Sequence, residues 1–197
     1  MNSVDYNRHP VARSAFPLLR TVLVVFTSVW PKAMAADRPP GELAVKAAFV
    51  LNFMRMVNWS AVPGIERSVD LGVCAVGNSG FAEAVRKAIE GKSVGGRSIS
   101  FKLASTPDET QCRVLVLDEA QYPGVKSLID RIKTSPVLTV GNGPGLVRLG
   151  GMFDLALEDR NVVFDANADA IRLAGLDVSA RLLQLCRNLR RGRTSGN

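Results

Sequence analysis

The sequence predicts one α/β domain: a mostly parallel sheet with helices on both faces and a hairpin at its edge. Three observations predict it. Apolar runs such as VDLGVCAVG (69–77), VLVLDEA (114–120) and VLTVG (137–141) are short and bounded by glycine, proline or polar turns, as central strands are. Between them lie stretches with apolar residues at helical spacing, and strands alternating with helices imply parallel neighbours covered on both sides. A chain of 197 residues, 47% of them hydrophobic, is sized for a single domain.

Each element follows from its residues. After a polar entry at 37–42, the segment LAVKAAFVLNFMRMVNW (43–59) is apolar except for Lys46, Asn52, Arg55 and Asn58, a narrow stripe on a mostly buried helix. Pro63 and Gly64 end that region, and the strand 69–77 follows. Asn78 and Ser79 can cap a helix over 81–90, where Phe81, Val85, Ala88 and Ile89 share one face and Glu83, Arg86 and Lys87 point away. SISFKLA (98–104) alternates as a strand, and the run 114–120 supplies the next. Val125, Leu128, Ile129 and Ile132 match a helical face that runs into Ser135-Pro136 and the strand 137–141.

Beyond Gly141 the rhythm changes. A glycine-rich stretch precedes two short strands, 152–157 and 161–165, with Glu158-Asp159-Arg160 between them, and this is the expected edge hairpin. A short helix over 168–174 stops at Gly175, and Ser179 can cap a last helix with Leu182, Leu185 and Leu189 on one stripe. Residues 187–197 are basic and read as a flexible tail, which leaves 36–186 as the folded domain.

Residues 1–35 read as an export signal cleaved after Ala35, so the protein is expected in the periplasm. Arginines precede the apolar run TVLVVFTSVW (21–30), and Ala33-Met34-Ala35 offers small residues at the recognition positions. Pro17 and Pro31 fence that run, which is well short of the roughly 20 residues of a spanning helix. The net charge of +7 falls to +4 without this segment, too little and too scattered for a nucleic-acid stripe. Cleavage also removes His9, the single histidine, so no Ser-His-Asp triad, Cys-His pair or histidine metal site can form; catalysis through paired carboxylates, lysine or tyrosine stays open, and the expectation shifts toward a binding protein, with no cofactor or metal named.

Three cysteines in an exported chain suggest one disulfide and one leftover thiol. Cys74 and Cys112 each sit on or beside a predicted strand, close enough to bridge if those strands are neighbours in a suitable register. Cys186, among leucines, reads as a buried thiol; three reduced core cysteines are the alternative.

Other motifs have plain explanations. Gly77-Asn78-Ser79-Gly80 follows a strand and opens a helix, where phosphate can bind, but it lacks both the full G-x-G-x-x-G and the Walker lysine, so a simple turn fits better. Gly95-Gly96-Arg97 is a tight turn before a strand, and the pairs Asp108-Glu109, Asp118-Glu119 and Glu158-Asp159 are solvated loop carboxylates. The stretch 168–189 is less ordinary: Ile171, Leu173, Leu176 and Val178 straddle Gly175 and cannot all lie on one helical stripe, and exposed apolar residues mark partner surfaces.

The series NFMRMVNW (52–59), LGVCAVG (71–77), GGRSISFKL (95–103), CRVLVL (112–117), VLTVG (137–141), GGMFDLALEDRNVVFDAN (150–167) and AGLDVSARLLQL (174–185) resembles the YfiR family of exported proteins, in order and over nearly all of the mature chain. The resemblance implies a Rossmann-like or flavodoxin-like periplasmic domain, often a homodimer, with no catalytic role. It implies repression of an inner-membrane diguanylate cyclase, YfiN-like, through its periplasmic domain. Release then comes from an OmpA-like outer-membrane lipoprotein, YfiB-like, so that cyclic-di-GMP output and biofilm formation follow envelope conditions. It implies a bridge between Cys74 and Cys112. A second cysteine pair that some members carry around 141–151 is absent here. For the partner surface it points to 168–183, with Ala168, Ile171, Val178 and Leu183 as contacts and Asp165 as a rim charge. A periplasmic receptor for a small ligand is the other expectation, since members of this family serve several signalling systems.

Overall fold

The computed structural model describes residues 40–68, 70–104, 111–119 and 122–191. The expected export signal, the carboxylates Asp108-Glu109 and the last six residues of the expected tail lie outside them. The described residues belong to one compact unit, Arg38–Asn197.

The chain builds α1 (Pro40–Arg55), β1 (Asp70–Val76), α2 (Gly80–Ile89), β2 (Ser93–Val94), β3 (Arg97–Ala104), β4 (Val114–Asp118), α3 (Tyr122–Ile132), β5 (Leu138–Asn142), β6 (Phe153–Glu158), β7 (Asn161–Asn167), α4 (Ala168–Leu173), α5 (Ala180–Gln184) and β8 (Asn188–Arg190). One sheet holds the eight strands in the order β2-β3-β1-β4-β5-β6-β7-β8. Only the β2–β3 and β6–β7 pairs are antiparallel. This is the α/β class that alternating strands and helices predict.

Side-chain alternation along the strands sorts the core into two layers. Leu71, Val73 and Ala75 of β1, with Val114 and Val116 of β4, pack beneath α1 and α2. Cys74, Leu115 and Leu117 face the other way, against Val125, Leu128 and Ile129 of α3. At the far end of the sheet Phe53 of α1 stacks on Phe153 at 4.6 Å between ring centroids and meets Phe164 edge-on at 5.0 Å.

The central strands are tied covalently. Cys74 and Cys112 form a disulfide with their Cα atoms 5.6 Å apart, joining β1 to the approach of its parallel neighbour β4. The Arg113 amide donates to the Gly72 carbonyl at 2.8 Å, and a Cβ on Gly72 would overlap the Gln111 carbonyl oxygen, so only glycine allows this approach.

Four expectations need correction. The first helix ends at Arg55, because the Trp59 indole donates to the Met54 carbonyl at 2.7 Å and residues 57 and 58 turn away to pair with 177 and 178. The hairpin, whose turn places Asp159 and Arg160 at positive φ, is not the sheet edge, since β8 lies outside β7. The segment 188–190 is therefore strand rather than flexible tail, paired in parallel with 165–167. The last helix stops at Gln184, so Leu182, Leu185 and Leu189 form no stripe: Leu182 is core, Leu185 is exposed and Leu189 belongs to β8.

Candidate functional site

The stretch after β7 is built in short pieces. Asn167 caps α4, its side-chain oxygen accepting from the Ala170 amide at 3.1 Å. Gly175, at φ +67°, ends the helix, and the Leu176 amide folds back to the Ile171 carbonyl at 3.1 Å. Residues 177–179 then zip onto the segment beyond α1: Asn58 N donates to Asp177 O at 2.8 Å, Ser179 N to Met56 O at 2.9 Å, and Val57 bridges Val178. Asn58 Nδ2 adds a bond to the Asp177 carboxylate at 3.0 Å.

This construction decides where the expected partner residues stand. Ile171, at 5% exposure, is core, as is Leu176. Val178 and Leu183 are half-buried and packed against the same core, and Ala168 is half-buried in the first turn of α4. Asp165 accepts from Arg187 through both oxygens, at 3.0 and 2.7 Å, and from Asn188 at 3.0 Å. Burial works against the Asp165 charge, but those hydrogen bonds outweigh it and hold its carboxyl below the ordinary value. The large apolar residues most exposed in this stretch are Leu173, 53% exposed, and Leu185, 65% exposed.

Leu185 borders a cleft of about 430 Å³ between α1 and α5. Phe49, Phe53, Phe164 and Leu182 give it apolar walls, and Asn52, Arg55 and Arg181 add polar and cationic groups. An apolar bed with guanidinium groups beside it suits a partner offering a hydrophobic anchor next to an acidic group. The sequence reading missed Phe49, Asn52, Arg55, Arg181 and Leu185 as a group. One signal was present: Phe49, Asn52, Phe53 and Met56 recur at i, i+3, i+4 and i+7, a helical face where aromatic and amide side chains mix.

Two buried polar arrangements lie elsewhere in the fold. Lys46, 2% exposed instead of lying on a solvent stripe, pairs with Glu42 at 2.6 Å and donates to Asn142 Oδ1 at 2.9 Å, fastening α1 to the end of β5. Asp154 Oδ2 accepts from the Gly145 and Val147 amides at 2.8 and 3.2 Å and pins the glycine-rich loop before β6. Burial pushes the Asp154 carboxyl up, against the pull of those amides. Cys186 is half-buried and donates to the Leu183 carbonyl at 3.0 Å; burial pushes its thiol up, and it packs on the face opposite the disulfide.

Among the described residues no three His, Cys, Asp or Glu side chains are grouped to hold a metal ion, and no helix is long and apolar enough to cross a membrane. The DUF4154 family model, described as YfiR/HmsC-like, matches residues 43–187. The chain belongs to the YfiR/HmsC-like family. Membership is consistent with periplasmic regulation of cyclic-di-GMP signalling, and the family is one of regulators rather than enzymes. No curated protein matches the sequence.

Solved structures show the same fold at low identity. A conserved domain protein from Vibrio cholerae matches with a TM-score of 0.51 and 10% identity, over 75% of this chain and 60% of that one. The ABC domain from Streptococcus pneumoniae in complex with L-Trp matches with a TM-score of 0.50 and 8% identity, over 76% of this chain and 60% of that one. The YfiR/HmsC-like chain thus spans about 60% of the length of each.

Proposed function

We propose that this protein is an exported periplasmic regulator that binds the periplasmic domain of an inner-membrane diguanylate cyclase and restrains it. Cyclic-di-GMP output and biofilm formation would then rise when an OmpA-like outer-membrane lipoprotein takes the regulator away. The observation that carries this reading is the family match across 43–187. The apolar cleft beside α5, bordered by Leu185, Arg55 and Arg181, is the surface that suits such a partner. We propose a homodimer as the acting form, on the family resemblance alone. The test is capture of a GGDEF-domain membrane protein from envelope extract, with cyclic-di-GMP measured in the same strain. Leu185→Glu and Arg181→Glu should abolish capture and raise cyclic-di-GMP while the protein accumulates normally. Unchanged cyclic-di-GMP on deletion of the gene would refute the reading.

A second reading, a periplasmic receptor for a small ligand, is favoured by the same cleft, whose volume of about 430 Å³ falls in the range of ligand pockets. Thermal melting against a panel of small anions with apolar groups separates the two: a ligand receptor is stabilised by an amount that rises with the logarithm of ligand concentration above Kd, and a pure protein-binding surface is not.

A further inference from the structure

Strand β7 has more edge than β8 covers. It runs over seven residues, Asn161–Asn167, but β8 pairs only with Asp165, Ala166 and Asn167. The Asn167 amide donates to Met152 O at 2.8 Å, so by antiparallel alternation residues 161, 163, 165 and 167 direct their backbone groups at β6, and 162, 164 and 166 direct theirs outward. The Arg187 amide takes the outward Phe164 carbonyl at 2.8 Å, and among the described residues no strand lies opposite Val162.

What holds β8 is mostly polar. Arg187 clasps Asp165 and also donates to Glu158 Oε2 at 3.0 Å, and Arg190 reaches the Val147 carbonyl at 3.3 Å. Only Leu189 packs against the core, and it is half-buried. A three-residue strand adds few backbone bonds and little apolar burial, so the hold on β8 rests mainly on the Arg187 clasp of Asp165 and Glu158, and loss of that clasp frees it.

We propose that the β7 edge is a docking edge, occupied at rest by the chain's own β8 and open to an extended segment of a partner protein with the same pattern: a basic residue, any residue, then an aliphatic one. The edge dictates that pattern. Asp165 and Glu158 need a guanidinium or ammonium group, and the position beside Ala166 takes an apolar side chain, as Leu189 shows. A longer segment also gains Val162 and the cleft next to it, where Val45 and Leu157 are exposed, contacts that β8 does not reach. The edge adjoins the α1–α5 cleft through Phe164. The inference rests on reading this protein as a partner-binding regulator, and it names one kind of segment that such a partner carries.

The test is native-state hydrogen exchange on the full folded chain, residue by residue. The β8-directed amide of Ala166 should exchange at least 100-fold faster than the β6-directed amide of Asp165. Arg187→Gln should speed Ala166 a further tenfold and leave Asp165 unchanged, with Arg187→Lys between the two. A synthetic peptide copying residues 185–190, with serine in place of Cys186, should slow Ala166 at least tenfold in the Arg187→Gln protein, and the same peptide with glutamate at the Arg187 position should not. Equal exchange at Ala166 and Asp165 would overturn the proposal by making β8 integral to the sheet. So would protection by both peptides or by neither. If those outcomes came with loss of partner capture in Leu185→Glu, the regulatory reading would stand and only the edge would fall.

Discussion

Replacing Cys74 and Cys112 by alanine removes the covalent tie between the two central strands, and its effect can be worked out beforehand. The bridge spans a sequence separation of 38 residues. Chain entropy for a loop of that size gives about 4 kcal/mol at 25 °C. Both cysteines are almost fully buried, so alanine also loses some packing. Reduced wild-type protein separates the two effects, because it keeps both sulfur atoms and loses only the constraint on the unfolded chain. The assay is urea unfolding with and without reductant. With a slope of about 2 kcal/mol per molar urea, 4 kcal/mol moves the midpoint down by about 2 M. The double alanine variant should fall at least as far in either condition. Cys186→Ser, on the other face of the sheet, should leave the difference between oxidised and reduced protein intact. Reduced wild type within about 1 kcal/mol of oxidised would refute the entropic argument. A low midpoint in the alanine variant alone would then mean that the bridge matters through packing.

Four other changes test particular parts of the structure. Lys46→Met strands the buried Glu42 carboxylate and should cost about 3–5 kcal/mol in urea unfolding, most of it regained when Glu42→Leu is added. Gly72→Ala drives a methyl group into the Gln111 carbonyl and should cost about 3 kcal/mol by the same measurement. Asp165 carries a carboxyl held below its ordinary value, so its contribution is present above the usual carboxylate range and is lost as pH falls through the depressed value; fluorescence of a probe on β8 should report release on acidification, and Arg187→Gln should flatten that profile. Ile171→Glu buries an unpaired charge and should unfold the protein, whereas Leu185→Glu should shift stability by no more than about 0.5 kcal/mol and still weaken partner capture at least tenfold.

The layers of this fold were legible because most elements carry one periodicity and one role. Phe81, Val85 and Ile89 share the buried face of α2 as their spacing requires, and Val114–Leu117 is buried on both sides as a central strand must be. The errors lie where a long-range partner changes a local pattern. Lys46 looks like a solvent residue until Asn142, 96 positions away, is placed beside it. Residues 187–190 look like a tail until Asp165 and Glu158 supply counter-charges and β7 supplies an edge. Basic composition alone cannot tell a solvated arginine from one with carboxylates waiting in another strand.

The candidate surface was half legible for the same reason. A broken apolar stripe around Gly175 is produced equally by exposure and by a change of packing direction, and both occur here. The left-handed turn lets Leu176 follow Ile171 into the core and sends Val178 across to Val57. Leu173 and Leu185 are left outside on either side of that crossing. The cleft itself draws on α1, β7 and α5: the mixed face of Phe49, Asn52, Phe53 and Met56 marks one wall, but no local pattern joins it to Phe164, Arg181 and Leu185. The Val57–Val178 bridge and the two backbone bonds beside it join the end of α1 to the entry of α5, and thereby set the spacing of Phe49 and Arg55 on one wall against Arg181 and Leu185 on the other. A substitution that loosens that crossing should therefore change the width of the cleft.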